Sequence, residues 1–201
     1  MVETLDVRIA ELLSARLCHE LVSPAGAIAN GVEILADEAE FADSAIALIG
    51  LSARNLSRRL QFYRLAYGAT APLADALFRQ ATIDFFTESK IVFDWRIAAL
   101  PVGAGKLACN LIVVAAEALP RGGTVTLDAA TGGGIAVTAA GEGVRLVEPI
   151  AALLNQPAAL DLLSPRTIQA AFTALLAAQG DWALEIRQPM ANELVLVGKE
   201  R

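Results

Sequence analysis

From residue 3 to residue 68 the chain repeats apolar side chains at spacings of three and four, and this run limits the possible folds more than any other feature. The first set is Leu5, Ile9, Leu12, Leu13, Leu17, Leu21, Ile28, Val32 and Leu35. The second is Phe41, Ala45, Leu48, Ile49, Ala53, Leu56, Leu60, Tyr63 and Tyr67. That period is the stripe of an amphipathic helix. Between the sets lies "ADEAEFADS", whose carboxylates suit the positive end of a second helix. Gly68 stops that helix. Two long helices with a short connection make an antiparallel hairpin. A lone hairpin leaves its stripes in water, and such helices draw their stability from packing. A homodimer that joins two hairpins into a four-helix bundle resolves this. Packing of both stripes on the rest of the chain is the alternative. The homodimer is the expectation.

Residues 69–201 change character. "KIVFDWRIA", "TVTLDAA", "GIAVTAA", "WALEIRQ" and "ELVLVG" read as strands, with "TGGG" as a hairpin turn between the second and third. Helices fit at 73–87, 105–119, 146–155 and 165–179. Hairpin strands mixed with helices predict an α+β sandwich with helices on one face of a mixed sheet. The predicted domains are therefore 1–68, a helical hairpin, and 69–201, an α/β sandwich.

Composition narrows the function classes. Hydrophobic residues make up 55% and aromatics only 5%, so the core is aliphatic. The net charge of −6 speaks against a nucleic-acid binder that works by overall electrostatics. The longest apolar run, "LACNLIVVAA", is about half of what a membrane helix needs. "MVETLDVRIAELL" is acidic and amphipathic, unlike a signal peptide. Two isolated cysteines, Cys18 and Cys109, make neither a disulfide framework nor, with one histidine, a structural zinc site. The expected setting is the cytoplasm with reduced thiols.

The single histidine, His19, sits in "LCHELVSP". On a helical wheel Leu17 and Leu21 each lie about 200° away, so His19 is nearly opposite the apolar stripe. Arg16 and Ser23 share its face. Folding the hairpin about residues 38–39 brings it level with "RNLSRRLQFYR", which holds Arg54, Arg58, Arg59 and Arg64 and no acid. An exposed imidazole beside arginines suits an anionic partner or a phosphoryl group, although a solvated charged face has the same look. Neutral imidazole is a nucleophile at one nitrogen while the other carries the proton, and the carboxylate of Glu20 can stabilise the charge formed on attack. Pro24 removes one backbone donor a turn later.

"HELVSP" resembles the H-box of two-component histidine kinases, in which the histidine is phosphorylated and the following acid assists transfer. By that resemblance His19 is the phosphoacceptor and Glu20 the assisting acid. Ser23 stands at the position of the kinases' phosphatase Thr or Asn. "CNLIVVAAEALPRGGTVTL" is similar to the kinase N-box and its following strand, and "GGGIAVTAAGEGVRL" to the region of the first glycine box. These matches imply a Bergerat/GHKL-like second domain. Asn110 is kept, but Val114 stands where kinases place a magnesium ligand, Ala139 where a carboxylate reads adenine, and "DLLSPRTIQ" replaces the second glycine box. ATP with Mg²⁺ needs those polar groups. The implied fold is a degenerate ATPase-like domain without ATP binding.

That combination, and "CHELVSPAGAIANGVEIL" above all, resembles the ChpT-type histidine phosphotransferases. The resemblance implies a homodimer in a cell-cycle phosphorelay. A phosphoryl group would pass from the receiver domain of a CckA-like hybrid histidine kinase to CtrA-like or CpdR-like response regulators. Mg²⁺ would come with the receiver, so no cofactor is expected on this chain, and neither nucleic acid nor membrane is expected as a partner. His19 and Glu20 are the expected catalytic pair. Arg16, Ser23, Arg54, Arg58 and Arg59 are the expected partner-binding set, the last three taken from the hairpin geometry. An ATP-dependent histidine kinase and a non-catalytic dimeric scaffold for response regulators are the alternatives.

Overall fold

A computed structural model describes residues 2–37, 39–68, 73–156 and 160–201. Helices α1 (Val2–Asp37) and α2 (Ala42–Tyr67) form the expected hairpin, linked through a short 3₁₀ turn at Ala39–Phe41. The centre of the expected connection includes Glu38, and the stripe begins at the Leu5 side chain; both lie outside the described residues. The helix α1 is continuous past Pro24. Gly31 of α1 lies close against α2. A Cβ there would meet Ile49 Cγ1 at 2.6 Å, with Ala45 buried beside it.

The expected boundary after Gly68 opens onto residues 69–72, which lie outside the described residues. The remaining elements follow the sequence reading closely: α3 (Asp75–Phe86), β1 (Ile91–Trp95), α4 (Ala104–Glu117), β2 (Gly123–Ala129), β3 (Ile135–Ala140), α5 (Glu148–Asn155), α6 (Ile168–Gln179), β4 (Trp182–Met190) and β5 (Glu193–Glu200). The fold is α+β. The sheet order is β1-β2-β3-β5-β4, with β1 and β2 parallel and the other pairs antiparallel. The β2–β3 turn uses Gly132, Gly133 and Gly134 at φ +86°, +100° and +96°, where a Cβ is penalised.

Alternation along the strands puts one sheet face inward. Val125 and Leu127 of β2, Ile135, Val137 and Ala139 of β3, and Leu194 and Leu196 of β5 are all buried. Helix α4 covers that face. Most of it is apolar because the sheet, α6 and the lower end of α2 enclose it, and its polar residues Lys106, Asn110 and Glu117 fall at spacings that share one face. Its Leu111, Ile112 and Val114 are fully buried, each contributing about 2 kcal/mol relative to an exposed side chain.

The hairpin divides its stripes between two fates. Ile9 and Leu12 of α1 join the sandwich core, and Phe62, Tyr63, Leu65 and Ala66 of α2 pack with Phe78, Ala81, Cys109 and Val113 from α3 and α4. Farther up, Val32, Ile46, Leu48 and Leu51 remain exposed. The lower hairpin is thus part of the same packed body as the sheet, while the upper hairpin projects from it with apolar side chains in the open. No described helix is long and apolar enough to cross a membrane.

Candidate active site

His19 lies midway along α1 and is exposed, while Leu17 and Leu21 are partly buried. The helical period explains this: the stripe that packs downward leaves the residue between its members facing out. His19 lines a groove of about 540 Å³ with Glu20, Ser23, Pro24 and Ala27 of α1, Leu51, Ser52, Asn55 and Arg59 of α2, and Glu88. Glu88 comes from the turn between α3 and β1 and holds a left-handed backbone at φ +68°, a conformation uncommon outside glycine. The groove therefore draws walls from both parts of the chain.

The arginines are less free than the sequence suggests. The stretch around residue 58 contains no acid of its own, but the fold brings acids to it from elsewhere. Arg59 Nη1 donates to Glu20 Oε2 at 2.7 Å and Nε donates to Asn55 Oδ1 at 2.8 Å. Arg58 Nη1 lies 3.7 Å from Glu88 Oε1. Arg16 turns away from the groove and pairs with Glu117 of α4. Arg54 is exposed and outside the groove. Of the expected partner-binding set, only Ser23 and Arg59 line the groove with His19 and Glu20.

Electrostatics follow this burial. Desolvation pushes the Glu117 carboxyl up, and the Arg16 charge offsets only part of that. For Arg16 itself burial works downward, but Glu117, Tyr67 and Glu20 together more than reverse it and the guanidinium stays charged. Burial, and then the charge of Glu20, push the Tyr63 hydroxyl up to about 12, so Tyr63 is a neutral neighbour of the site.

Sequence reasoning missed Asn55, Ser52 and Glu88. Asn55 was within reach, because it stands four residues before Arg59 on one helix face. Glu88 carries no local signal, since only the packing of α3 on α2 brings its turn to the groove.

Asn110, Val114 and Ala139, the positions that the resemblance to kinases aligned with a nucleotide site, are all buried in this structure. Val114 and Ala139 are fully buried members of the core. Asn110 is fully buried and donates from Nδ2 to the carbonyls of Ala66 and Lys106, both at 2.8 Å. Gln169 Nε2, from α6, donates to Asn110 Oδ1 at 2.8 Å, and Tyr67 Oη donates to Gln169 Oε1 at 2.5 Å. Asn110 thus ties α4 and α6 to the end of α2. Among the described residues no three His, Cys, Asp or Glu side chains converge as metal ligands.

An exposed imidazole with a neighbouring carboxylate, in a groove open to a macromolecule, is arranged for nucleophilic transfer rather than for enclosing a small substrate. A family model for the histidine phosphotransferase C-terminal domain matches residues 77–192. The chain belongs to the histidine phosphotransferase family. It is 32% identical over 189 residues to the protein phosphotransferase ChpT of Brucella abortus (strain 2308), covering 89% of each chain. A solved structure of a bacterial phosphotransferase superposes with a TM-score of 0.84 at 30% identity and covers 96% of both chains. Membership makes the chain a protein phosphotransferase, and the likeness extends over the hairpin as well as the sandwich.

Proposed function

We propose that His19 is the residue that carries the phosphoryl group, between receiver-domain aspartates of a two-component phosphorelay. The observation that carries this is the exposure of the chain's one histidine in a groove with Glu20, on the projecting hairpin of a histidine phosphotransferase. A receiver docks with its aspartyl phosphate facing the groove. The unprotonated ring nitrogen attacks phosphorus, so the N–P bond forms as the acyl-phosphate P–O bond breaks and aspartate leaves as a carboxylate. The proton on the other ring nitrogen makes the product cationic, and the Glu20 carboxylate stabilises that charge. A second receiver reverses the step with its own aspartate. Each receiver brings Mg²⁺ in its acidic pocket, and this chain supplies nucleophile, carboxylate and docking surface without ATP.

The donor is a CckA-like hybrid-kinase receiver, and the acceptors are CtrA-like and CpdR-like response regulators in cell-cycle control in the cytoplasm. The working form is a homodimer. The exposed side of the hairpin supports it. Ile28, Ala53, Leu56 and Leu60 line one shallow, mainly apolar groove, and Leu17, Leu21, Leu60 and Tyr63 line the next, so a mainly apolar strip runs up both helices, with Arg64 lining both grooves. Leu60, 48% exposed, is shared by the two grooves. A second hairpin covers such a strip by the same helical spacing. The test is passage of labelled phosphate from one purified receiver to another, which requires this chain. Equal passage without it would refute the proposal.

A further inference from the structure

We infer that Arg59 is a positioning residue for Glu20 rather than a docking cation for the receiver; this rests on the reading that His19 carries the phosphoryl group. Three contacts from three elements hold its guanidinium. Nη1 donates to Glu20 Oε2 of α1 at 2.7 Å, and Nε donates to Asn55 Oδ1 one turn earlier on α2 at 2.8 Å. The guanidinium also lies 5.8 Å from the Phe85 ring centroid of α3. Phe85 is itself fixed, stacked at 4.2 Å on the fully buried Phe62. A cation that steers a partner keeps its head in water with donors free. This one has its Nε and one Nη1 hydrogen committed inside the groove, and its central carbon lies within cation–π range of an aromatic ring.

The consequence falls on Glu20. A glutamate on a helix surface samples several rotamers, and adjacent helix positions diverge by about 100°. The charge-assisted bond to Arg59 selects the rotamer that keeps the carboxylate in the groove with His19. Only Oε2 is engaged by Arg59. The other oxygen, Oε1, has no hydrogen-bond partner among the described residues and stays available to accept the ring N–H of His19 when the imidazole becomes cationic. Asn55 fixes the arginine, the arginine fixes the glutamate, and the glutamate meets the charge. The same chain runs from α3 through Phe85, so the second part of the molecule takes part in setting the transfer geometry.

The test is a double-mutant cycle on phosphotransfer from a purified hybrid-kinase receiver domain charged with acetyl phosphate. Arg59→Met should lower the transfer rate tenfold or more at saturating receiver, with the half-saturating receiver concentration unchanged within twofold. In a Glu20→Gln background the same change should have no further effect, because the residue through which Arg59 acts is already disabled. Asn55→Ala, which keeps the charge of Arg59 and removes its second anchor, should lower the same rate by a smaller factor that also vanishes in the Glu20→Gln background. It keeps the test decisive should Arg59→Met fail to fold. A raised half-saturating concentration at full rate would make Arg59 a docking residue and overturn the inference. Losses that multiply in the double variants, or a wild-type rate in Asn55→Ala, would overturn it as well. His19→Gln run alongside separates the two levels. If that variant still transfers phosphate, the reading of His19 fails; if it is dead while Arg59→Met is normal, only the positioning role fails.

Discussion

Gln169 Nε2 lies 2.8 Å from Asn110 Oδ1, and the two amides are buried together between α4 and α6. With Tyr67 they form a closed polar chain at the joint between hairpin and sandwich. Asn110→Ala should remove this joint's central member, taking the side-chain donor from the Ala66 carbonyl and leaving Gln169 Nε2 only its long contacts to the residue 110 carbonyl at 3.5 Å and Thr173 Oγ1 at 3.4 Å. The expected cost is about 2–3 kcal/mol, a fall in melting temperature of roughly 5–10 °C for a chain of this size. Thermal denaturation followed by circular dichroism checks it. An unchanged melting curve would mean that the network contributes nothing.

The expectation that this chain does not bind ATP makes a second prediction. Val114 and Ala139 offer no polar atoms and are fully buried. ATP at 100 times its dissociation constant would stabilise a binding protein by about 2.7 kcal/mol, which is readily seen in a thermal shift. With Mg²⁺ and ATP the melting temperature of this chain should not move. A rise of several degrees would restore the kinase alternative.

The two thiols should behave very differently. Cys18 is exposed on α1, whereas burial pushes the Cys109 thiol up to about 12. At pH 8 only about one molecule in 10⁴ would carry the Cys109 thiolate. A chromogenic disulfide reagent should titrate one thiol in the native protein and the second only in denaturant. Rapid reaction of both would contradict the packing of α4 against α2 and α3.

Assembly is tested at Leu60. Light scattering at micromolar concentration should report twice the 21.1 kDa chain mass. Leu60→Glu places a charge in the middle of the apolar strip and should yield monomers that remain folded, because Leu60 is half-exposed in the single chain. A wild-type monomer would leave the strip without the proposed partner.

Periodicity made most of the fold legible. Among the described residues the six α-helices and five strands fall where the patterns place them, since each element buries one face and the repeat of that face is local information. His19 could be placed off the stripe for the same reason. The ion pairs could not be read. Arg16 and Glu117 are 101 residues apart, Glu20 and Arg59 are 39 apart, and neither spacing follows from any helix repeat. The division of the hairpin was equally hidden. Ile9 and Leu12 look like Val32 and Leu35 in the sequence, yet the first pair packs into the sandwich core and the second stays exposed. Which part of a stripe is covered depends on where another element docks, and that is settled only in three dimensions.

The central claim is that the phosphoryl group rides on His19. After incubation with a phosphorylated receiver, the wild-type chain should carry label that is stable in base and lost in acid, as expected of phosphohistidine. His19→Gln keeps bulk and a polar tip without a nucleophilic ring nitrogen, and as a surface change it should alter stability by no more than about 0.5 kcal/mol. The folded variant should take up no label and pass none to a second receiver. Acid-labile label on His19→Gln, or continued transfer between receivers, would contradict the account.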